Sequence, residues 1–278
     1  MGQWLRERLP ERVDVDALLS QGRFVLGDGQ VLLDSAPYQP HTFVWFHRDL
    51  REEVPVPGEI RILHRDERLV VVDKPPFLST IPRGRHVAQS ATVRLREQLD
   101  LPALTPAHRL DRVTSGVLVL VSEPRWRGAY QQLFARREVR KTYLALVPHR
   151  PDVELPVVVR DHITKEPGCW QARVVPGAPV NAETLVELDH VVDDSTGEQA
   201  VLRLTPRTGR THQLRMHLSG LEMPIVGDPL YPDVADVAVD DFSTPLQLLA
   251  HELAFTDPVD GLDRVFTSRR TLPLLAEG

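Results

Sequence analysis

The sequence predicts an α+β protein whose mixed, largely antiparallel sheet is flanked by helices. Short apolar runs typical of buried strands, such as residues 69–72 and 117–121, occur without the regular βαβ alternation of a parallel sheet. The 278 residues allow one large domain or two smaller ones. A hydrophobic share of 42% and a charged share of 26% are ordinary for a globular protein.

The first part of the chain differs from the rest and predicts a small N-terminal module over residues 1–58. It contains a short helical stretch around Leu18, turn-forming residues at 27–29 and an extended segment that ends at Phe46. The sequence Pro-Val-Pro-Gly at its end predicts a linker, because two prolines and a glycine disfavour both helix and β ladder. A second domain is therefore expected over residues 59–278.

The second domain is predicted to alternate strands with two helices. Apolar runs indicate strands at 69–72, 117–121, 143–147, 184–188 and 200–204. A helix is expected from Glu123 to about Val139, with Ser122 as its cap and Pro124 in its first turn. Its apolar face comprises Trp126, Tyr130, Leu133 and Phe134. A shorter helix that starts near Thr211 would direct inward Leu214, Leu218 and Leu221.

The composition indicates a cytoplasmic protein. No window approaches the roughly 18 consecutive apolar residues that a membrane-spanning helix needs, and the first residues lack the apolar core of a signal peptide. The one cysteine, Cys169, excludes an internal disulfide and a cysteine-cluster metal site.

Basic residues are concentrated in two segments although the net charge is −6. Residues 108–143 contain Arg109, Arg112, Arg125, Arg127, Arg136, Arg137, Arg140 and Lys141 against three acids. Residues 203–217 contain four arginines and no acid. Because salt confines charge effects to about 8 Å, an acidic protein can still present a basic face to nucleic acid. The alternative is a set of charges scattered over a solvated surface.

The most informative segment is 107–121, in which Asp111 lies between Arg109 and Arg112. A turn at Thr-Ser-Gly and five apolar residues follow it. Flanking guanidinium groups favour the charged form of a carboxylate, which is the form that a nucleophile or general base needs. On charge pattern alone, a surface Arg–Asp pair beside a strand is the simpler alternative.

The sequence His-Arg-Leu-Asp-x-x-Thr-Ser-Gly at 108–116 resembles the signature of the RluA-type pseudouridine synthases. Three further blocks are similar to the family in the family's order: 66–75, which ends in Asp-Lys-Pro, 137–147, which contains Lys-Thr-Tyr, and 208–228, which contains Gly-Arg-Thr-His-Gln-Leu-Arg. Asp73 departs from the pattern, since Asn is more usual before Lys-Pro. The resemblance covers about residues 60–270.

This resemblance implies a fold with a central catalytic cleft and an enzyme that isomerises uridine in structured ribosomal or transfer RNA. The reaction breaks a glycosidic C–N bond, turns the uracil and joins its C5 to the sugar. It needs no redox partner, phosphate donor or metal, so no cofactor is expected. The target nucleotide must leave its stack to be reached. Attack by the carboxylate at the sugar C1′ or at the uracil ring both remain open.

The resemblance also implies a role for individual residues. Asp111 corresponds to the catalytic nucleophile, Arg215 to the arginine that contacts this carboxylate, and Tyr143 to the tyrosine that stacks on the target base. An exposed helix arginine and a core aromatic are the respective alternatives for the last two.

Four further residues, His108, Arg109, Arg210 and His212, are expected to contact RNA, and Arg109 could instead pack or remain solvated. The N-terminal module faintly resembles the S4-type RNA-binding module but has fewer basic residues.

Two functions from other classes serve as alternatives. A catalytically silent RNA-binding protein with this fold would be favoured by loss of Asp111, Tyr143 or Arg215, and all three are present. A hydrolase with a His–Asp metal site is disfavoured because His212 and His217 lack the i, i+4 zinc spacing and a third ligand is not evident.

Overall fold

A computed structural model describes residues 1–11, 13–46, 52–84, 86–194 and 197–275. The chain divides into two compact units, Met1–Glu52 and Glu53–Gly278. Unit 1 consists of helices α1 (Gly2–Arg8) and α2 (Val15–Ser20) and the antiparallel strands β1 (Phe24–Leu26) and β2 (Val44–Phe46). Its own small core contains Leu5, Val15, Leu19, Phe24 and Leu32.

The boundary between the units lies before Glu53, whereas the sequence predicted it after Gly58. Val56 and Ile60 are buried in the core of unit 2. The Glu53 carboxylate accepts hydrogen bonds from the backbone amides of residues 87–89. The predicted linker is therefore part of unit 2, because its valine supplies core contacts that outweigh the turn-forming tendency of its neighbours. The likeness of unit 1 to an S4-type module stays a prediction.

Unit 2 contains the remaining elements. Its helices are α3 (Ala91–Leu99), α4 (Pro124–Arg136) and α5 (Gln213–Gly220), followed by a 3-10 turn at Pro273–Leu275. Its strands are β3 (Arg61–Arg65), β4 (Leu69–Lys74), β5 (Thr105–Pro106), β6 (Ser115–Val121), β7 (Arg140–Pro148), β8 (Val157–Asp161), β9 (Ile163–Thr164), β10 (Arg173–Val174), β11 (Ala182–Asp194), β12 (Gly197–Pro206), β13 (Leu248–Thr256) and β14 (Asp263–Thr267). Among the described helices, none is both long and apolar enough to cross a membrane.

Ten of these strands form one mixed sheet in the order β3-β4-β6-β13-β7-β12-β11-β8, with β5 beside β6 and β14 beside β13. Among the described pairs, only β6 and β13 run parallel. Strands β9 and β10 form a separate hairpin. The predicted α+β class with a mixed, largely antiparallel sheet is therefore confirmed.

Both faces of the sheet are covered at β4 and β6, which explains the continuous apolar runs of these two strands. Alternate side chains of a strand point to opposite faces. Leu69, Val71 and the odd-numbered valines of β6 pack with Tyr130 and Leu133 of α4. Val70, Val72, Leu118 and Leu120 pack on the other face with α3 and α5. Because neither face meets water, every position of these strands is apolar or internally paired.

Helix α4 is shorter than predicted and starts one residue later. Glu123 occupies the N-cap position, Pro124 is the first helical residue and Arg137 ends the helix in a left-handed conformation. Ser122, the predicted cap, is buried and its amide bonds to the carbonyl of Arg68. Among the described residues its hydroxyl has no hydrogen-bond partner, so it does not cap the helix.

Candidate active site

A cleft of about 1530 Å³ opens in unit 2. Asp111 is the only acidic side chain among the described residues that line it. Of the residues that the structure describes, nine basic ones line the same cleft: Arg83, Arg96, Arg109, Arg112, Arg137, Lys141, Lys165, Arg210 and Arg215. Such a wall concentrates anionic polymers near one carboxylate, although the chain as a whole carries a charge of −6.

Asp111 lies in the loop between β5 and β6, and this loop is fastened on both sides. The Thr80 hydroxyl donates to the carbonyl of Leu110 at 2.7 Å and accepts from the amide of Leu110 at 3.1 Å. Leu110 and Val113 are buried in the core. The anchored neighbours leave the Asp111 side chain 34% exposed in the lining of the cleft.

Gly116 explains why the Asp111 loop must end in a glycine. It has a φ of +108° and lies where β6 passes beside β13. A Cβ at this position would lie 2.2 Å from the carbonyl oxygen of Ala250. The sequence Thr-Ser-Gly is therefore the residue pattern that lets the loop enter the buried strand here.

Lys74 also holds the loop that carries Asp111. Its ammonium is fully buried and donates to the carbonyls of Pro75 at 3.0 Å, Leu78 at 2.8 Å and Arg112 at 3.3 Å. Burial lowers the pKa of Lys74 to about 7, against the attraction of the Asp111 charge. The lysine thus ties the strand β4 to the segment that carries Asp111.

Helix α5 is positioned by the buried side chain of Gln213. Its amide nitrogen donates to the carbonyl of Glu183 at 3.0 Å and to the Thr184 hydroxyl at 2.9 Å. Its amide oxygen accepts from the Thr208 hydroxyl at 2.7 Å and from the amide of Arg210 at 3.0 Å. These four bonds join the helix to β11 and to the preceding loop, which gives the glutamine of the motif a structural role. The predicted helix near residue 211 is confirmed over 213–220.

The main partner of Arg215 is Asp228, and Asp111 is its second neighbour. Nε and Nη2 of Arg215 donate to the two Asp228 oxygens at 2.7 and 2.5 Å, and both side chains are at most 2% exposed. Nη1 of Arg215 lies 3.8 Å from Oδ2 of Asp111. Burial opposes the charge of Arg215, but the bonds and charge of Asp228, together with Asp111, raise its pKa.

His212 approaches the same carboxylate oxygen of Asp111 as Arg215 does. It adopts a left-handed conformation at the N-cap of α5, and its Nε2 lies 4.0 Å from Oδ2 of Asp111. Its Nδ1 lies 2.9 Å from the Tyr231 hydroxyl, which also accepts the amide of Ala172 at 2.7 Å. Burial lowers the pKa of His212, and the charge of Asp111 opposes this shift.

Tyr143 lines the cleft from strand β7. It is half-buried and packs against the main core, while burial and the negative charge of Asp111 raise the pKa of its hydroxyl. The structure therefore brings Asp111, Tyr143, His212 and Arg215 to one place. Tyr143 therefore packs against the core and also faces the cleft.

The other predicted contacts occupy different positions. Arg109 and Arg210 are exposed on the cleft wall, and Nε of Arg210 donates to the carbonyl of Asn181 at 3.2 Å. His108 lines the cleft but stacks on Phe134 with ring centres 4.4 Å apart. Its Nε2 accepts the amide of Val119 at 3.1 Å, and burial lowers its pKa to about 3. The geometry gives His108 a packing role as a neutral ring.

Only part of the basic segment 108–143 faces the cleft. Arg109, Arg112, Arg137 and Lys141 line it, whereas Arg136 and Arg140 do not. Nη2 of Arg140 is 3.1 Å from a carboxylate oxygen of Glu252. Burial and the charge of Arg137 lower the pKa of Lys141. A sequence count overestimates the basic face, because it cannot separate the residues of a helix that point in different directions.

Sequence reasoning missed three residues of this site. Asp228 lies in a block that resembles the family, but nothing in its spacing reveals that it holds Arg215. Tyr231 contacts both His212 and the guanidinium of Arg215, which lies 5.2 Å from its ring centre. Lys74 belongs to the Lys-Pro sequence, and no local sequence pattern predicts that its ammonium is buried.

The hydrolase alternative requires side chains that converge as metal ligands. In the described part of the chain, no three His, Cys, Asp or Glu side chains converge as ligands of one metal ion would. His217, the second histidine of that alternative, is buried against the Thr184 hydroxyl at 2.8 Å.

Comparison with known proteins agrees with the site. A family model described as RNA pseudouridylate synthase matches residues 68–220. The chain is 34% identical over 213 residues to the dual-specificity RNA pseudouridine synthase RluA of Salmonella typhi, covering 74% of this chain and 90% of that protein. The enzyme of the same name from Yersinia pestis is 32% identical over 206 residues, covering 72% and 94%.

A solved structure of human RNA pseudouridylate synthase domain containing 4 superposes with a TM-score of 0.58 at 29% identity, covering 77% of this chain and 90% of that one. The family model covers more than half of the chain, and the motifs that it spans build the cleft around Asp111. The chain therefore belongs to the RluA-type pseudouridine synthases and is an isomerase that converts uridine to pseudouridine in RNA.

Proposed function

We propose that Asp111 is the nucleophile of this isomerase and that its substrate is a uridine flipped out of structured ribosomal or transfer RNA. One observation carries the proposal: Asp111 is the single acidic side chain among the described residues of a cleft with nine basic ones. Its carboxylate lies within 4.0 Å of both Arg215 and His212. A carboxylate in this position can add to an electron-poor carbon of a bound nucleotide.

Arg215 is proposed to stabilise the charge of the Asp111 carboxylate. Arg215 is held by Asp228 and turns its remaining nitrogen, Nη1, toward Asp111, so that its charge compensates the carboxylate without a close hydrogen bond. A carboxylate left without a tight partner retains free lone pairs for attack. This arrangement supports a nucleophile better than a closed ion pair would, since a bidentate pair would occupy both oxygens.

His212 is proposed to present a proton on Nε2 toward the substrate side of Asp111. The Tyr231 hydroxyl has two acceptors within reach, Nδ1 of His212 at 2.9 Å and the carbonyl of Ala172 at 3.4 Å. Donation to the nearer Nδ1 places the imidazole proton on Nε2. A donor at that point can bind an oxygen of the uracil while the ring is detached from the sugar.

Tyr143 is proposed to stack on the uracil and to stand near its C5 hydrogen. The atoms balance within the substrate: the N1–C1′ bond breaks, a C5–C1′ bond forms, N1 gains a proton and C5 loses one. The carboxylate forms and then releases one bond, at either the sugar C1′ or the uracil ring. Both points of attack are compatible with a carboxylate in the cleft lining, and no co-reactant is required by either.

Base flipping is part of this proposal, and the position of Asp111 within the lining of the cleft supports it. A uridine stacked within a helix cannot bring its sugar or ring to a carboxylate there, so it must rotate out of the stack. The exposed guanidinium of Arg109 stands on the wall beside it and is proposed to occupy the gap in the RNA. The relatives are described as RNA pseudouridine synthases, which supports RNA as the substrate class.

Pseudouridine mapping in cellular RNA tests this function. Deletion of the gene should remove pseudouridine from one or a few positions in ribosomal or transfer RNA. The wild-type chain should restore these positions, and a chain with Asp111→Asn should not. Restoration by Asp111→Asn would contradict the assigned nucleophile, and an unchanged map of ribosomal and transfer RNA would contradict the assigned substrate class.

A further inference from the structure

We propose that Trp170 is a stacking platform for an unpaired RNA base that neighbours the target uridine. The inference rests on the proposed function, because it takes the cleft around Asp111 as the RNA-binding site. It adds a residue and a ligand chemistry that the family motifs do not contain: an aromatic face at the rim that binds a base without reading its identity.

Trp170 gives the cleft an exposed aromatic residue. It lies in the loop that joins β9 to β10, and 73% of its surface is exposed. The residue lines the main cleft and also an adjoining cavity of about 650 Å³. Asp111, His212 and Arg215 line both spaces as well. The indole therefore stands at the rim of the space that contains the reacting groups.

The hairpin that holds Trp170 is fixed to the site. Ile163, Ala172 and Ala182 form a small buried cluster that packs against Met216, the neighbour of Arg215 in α5. The amide of Ala172 donates to the Tyr231 hydroxyl at 2.7 Å.

The loop is also attached beside the indole itself. The amide nitrogen of Gln171 donates to the carbonyls of Leu230 and Pro232. Because both flanks of the hairpin are anchored to the elements that carry Arg215 and Tyr231, the indole is presented at a fixed place.

The chemistry around the indole favours a nucleotide. Lys165 of the same loop and Arg109 of the β5–β6 loop line the cleft with Trp170, and the acid of the Trp170 loop, Glu166, is paired with Arg173. An aromatic face beside two cations of the cleft lining suits a nucleotide, whose base has a π-face and whose phosphate is anionic. An apolar protein segment would fit poorly, since it would have to cover these charges.

Binding equilibria on the full chain test the proposal without requiring turnover. A stem-loop RNA and a fully paired duplex of equal length serve as probes, because only the loop supplies unpaired bases. Trp170→Ala should weaken binding of the stem-loop about tenfold and leave the duplex nearly unchanged. Trp170→Phe retains a ring and should recover most of the loss. Leu262→Ala, at an exposed apolar residue of the β13–β14 turn outside the cleft lining, is the matched control and should bind both RNAs as the wild type does.

Cys169 gives an independent readout in the unmodified protein. It is the one cysteine of the chain, is exposed and directly precedes Trp170. Saturating stem-loop RNA should slow its alkylation by iodoacetamide at least severalfold. Unchanged alkylation, unchanged affinity of Trp170→Ala, or an equal loss on both RNAs would each overturn the platform. Activity of Asp111→Asn, by contrast, would overturn the nucleophile while leaving these binding results intact.

Discussion

Arg215 and Asp228 form a buried bidentate pair, with nitrogen–oxygen distances of 2.7 and 2.5 Å. The pair fixes the guanidinium so that Nη1 lies 3.8 Å from Asp111. Asp228 also accepts the amides of Leu230 and Tyr231 at 2.8 and 3.1 Å. Asp228, which has no proposed contact with the substrate, thus determines where the positive charge beside the nucleophile lies.

The Arg215–Asp228 pair should couple stability to activity. Arg215→Ala and Asp228→Asn should each lower the free energy of unfolding of unit 2 by about 3–5 kcal/mol, because each leaves a buried charge unpaired. The double variant should lose less than the sum of the two. Urea denaturation of all four proteins measures this coupling.

Arg215→Lys is the informative companion, since it keeps the charge but cannot form the two parallel bonds. Its free energy of unfolding should be higher than that of Arg215→Ala, but its turnover of RNA should remain well below that of the wild type. Additive losses in the double variant would show that the two residues do not act as a pair.

Tyr143 should contribute mainly through its aromatic face. Tyr143→Phe keeps a ring that can stack, whereas Tyr143→Leu keeps only apolar volume against the core. We expect turnover of an RNA substrate to fall at least tenfold further in Tyr143→Leu than in Tyr143→Phe. Melting temperatures should be measured alongside, because the residue also packs against the core. Full activity in both variants would leave Tyr143 as a packing residue alone.

The sequence predicts those parts of the site whose residues are close together along the chain. The Asp111 loop and the Gln213–Arg215 segment are continuous in sequence, so their motifs identified both sides of the site. Asp228 could not be recognised as the partner of Arg215, because it reaches the guanidinium through the loop after α5. The strands around Asp111 were predicted because burial on both faces leaves an unbroken apolar run.

Charge was the property that sequence predicted least well. Arg136 and Arg137 are neighbours, yet Arg137 leaves the helix in a left-handed conformation and lines the cleft while Arg136 does not. Likewise, the prolines at 55–58 indicated a linker, and only the burial of Val56 reveals that the segment belongs to unit 2. Both corrections depend on tertiary contacts that no local pattern encodes.

The basic wall should make RNA affinity depend on salt through specific residues. Each phosphate that the protein neutralises contributes about 0.7–0.9 to the log–log salt slope. The double variant Arg137→Gln, Lys141→Gln should therefore reduce the slope by about 1.5. It should weaken the binding of RNAs of unrelated sequence to the same extent.

Arg136→Gln with Arg140→Gln is the matched control, because it removes the same charge from the same region outside the cleft lining. Titrations at several salt concentrations compare the two double variants. Equal salt slopes for the two double variants would mean that the cleft does not bind the phosphates.

His108 should make folding sensitive to acid. Its pKa is about 3 in the folded protein against 6.5 ordinarily, so between these values only the unfolded chain binds the proton. Stability must then fall as the pH falls from 6.5 toward 3.

One histidine of this kind costs about 2 kcal/mol between pH 6.5 and 5, at about 1.4 kcal/mol per pH unit. His108→Gln should remove that share of the decline, which denaturation at several pH values measures. Parallel pH profiles for the variant and the wild type would contradict a buried neutral ring.

The central claim is that the Asp111 carboxylate performs the chemistry, and single turnover of Asp111→Asn tests it most directly. An RNA labelled with tritium at uracil C5 loses the label when pseudouridine forms, and the same RNA reports binding. Because the amide keeps the shape but is a poor nucleophile, we predict wild-type RNA affinity, an unchanged melting temperature and tritium release at the background level. Release at a rate within tenfold of the wild type would contradict the account.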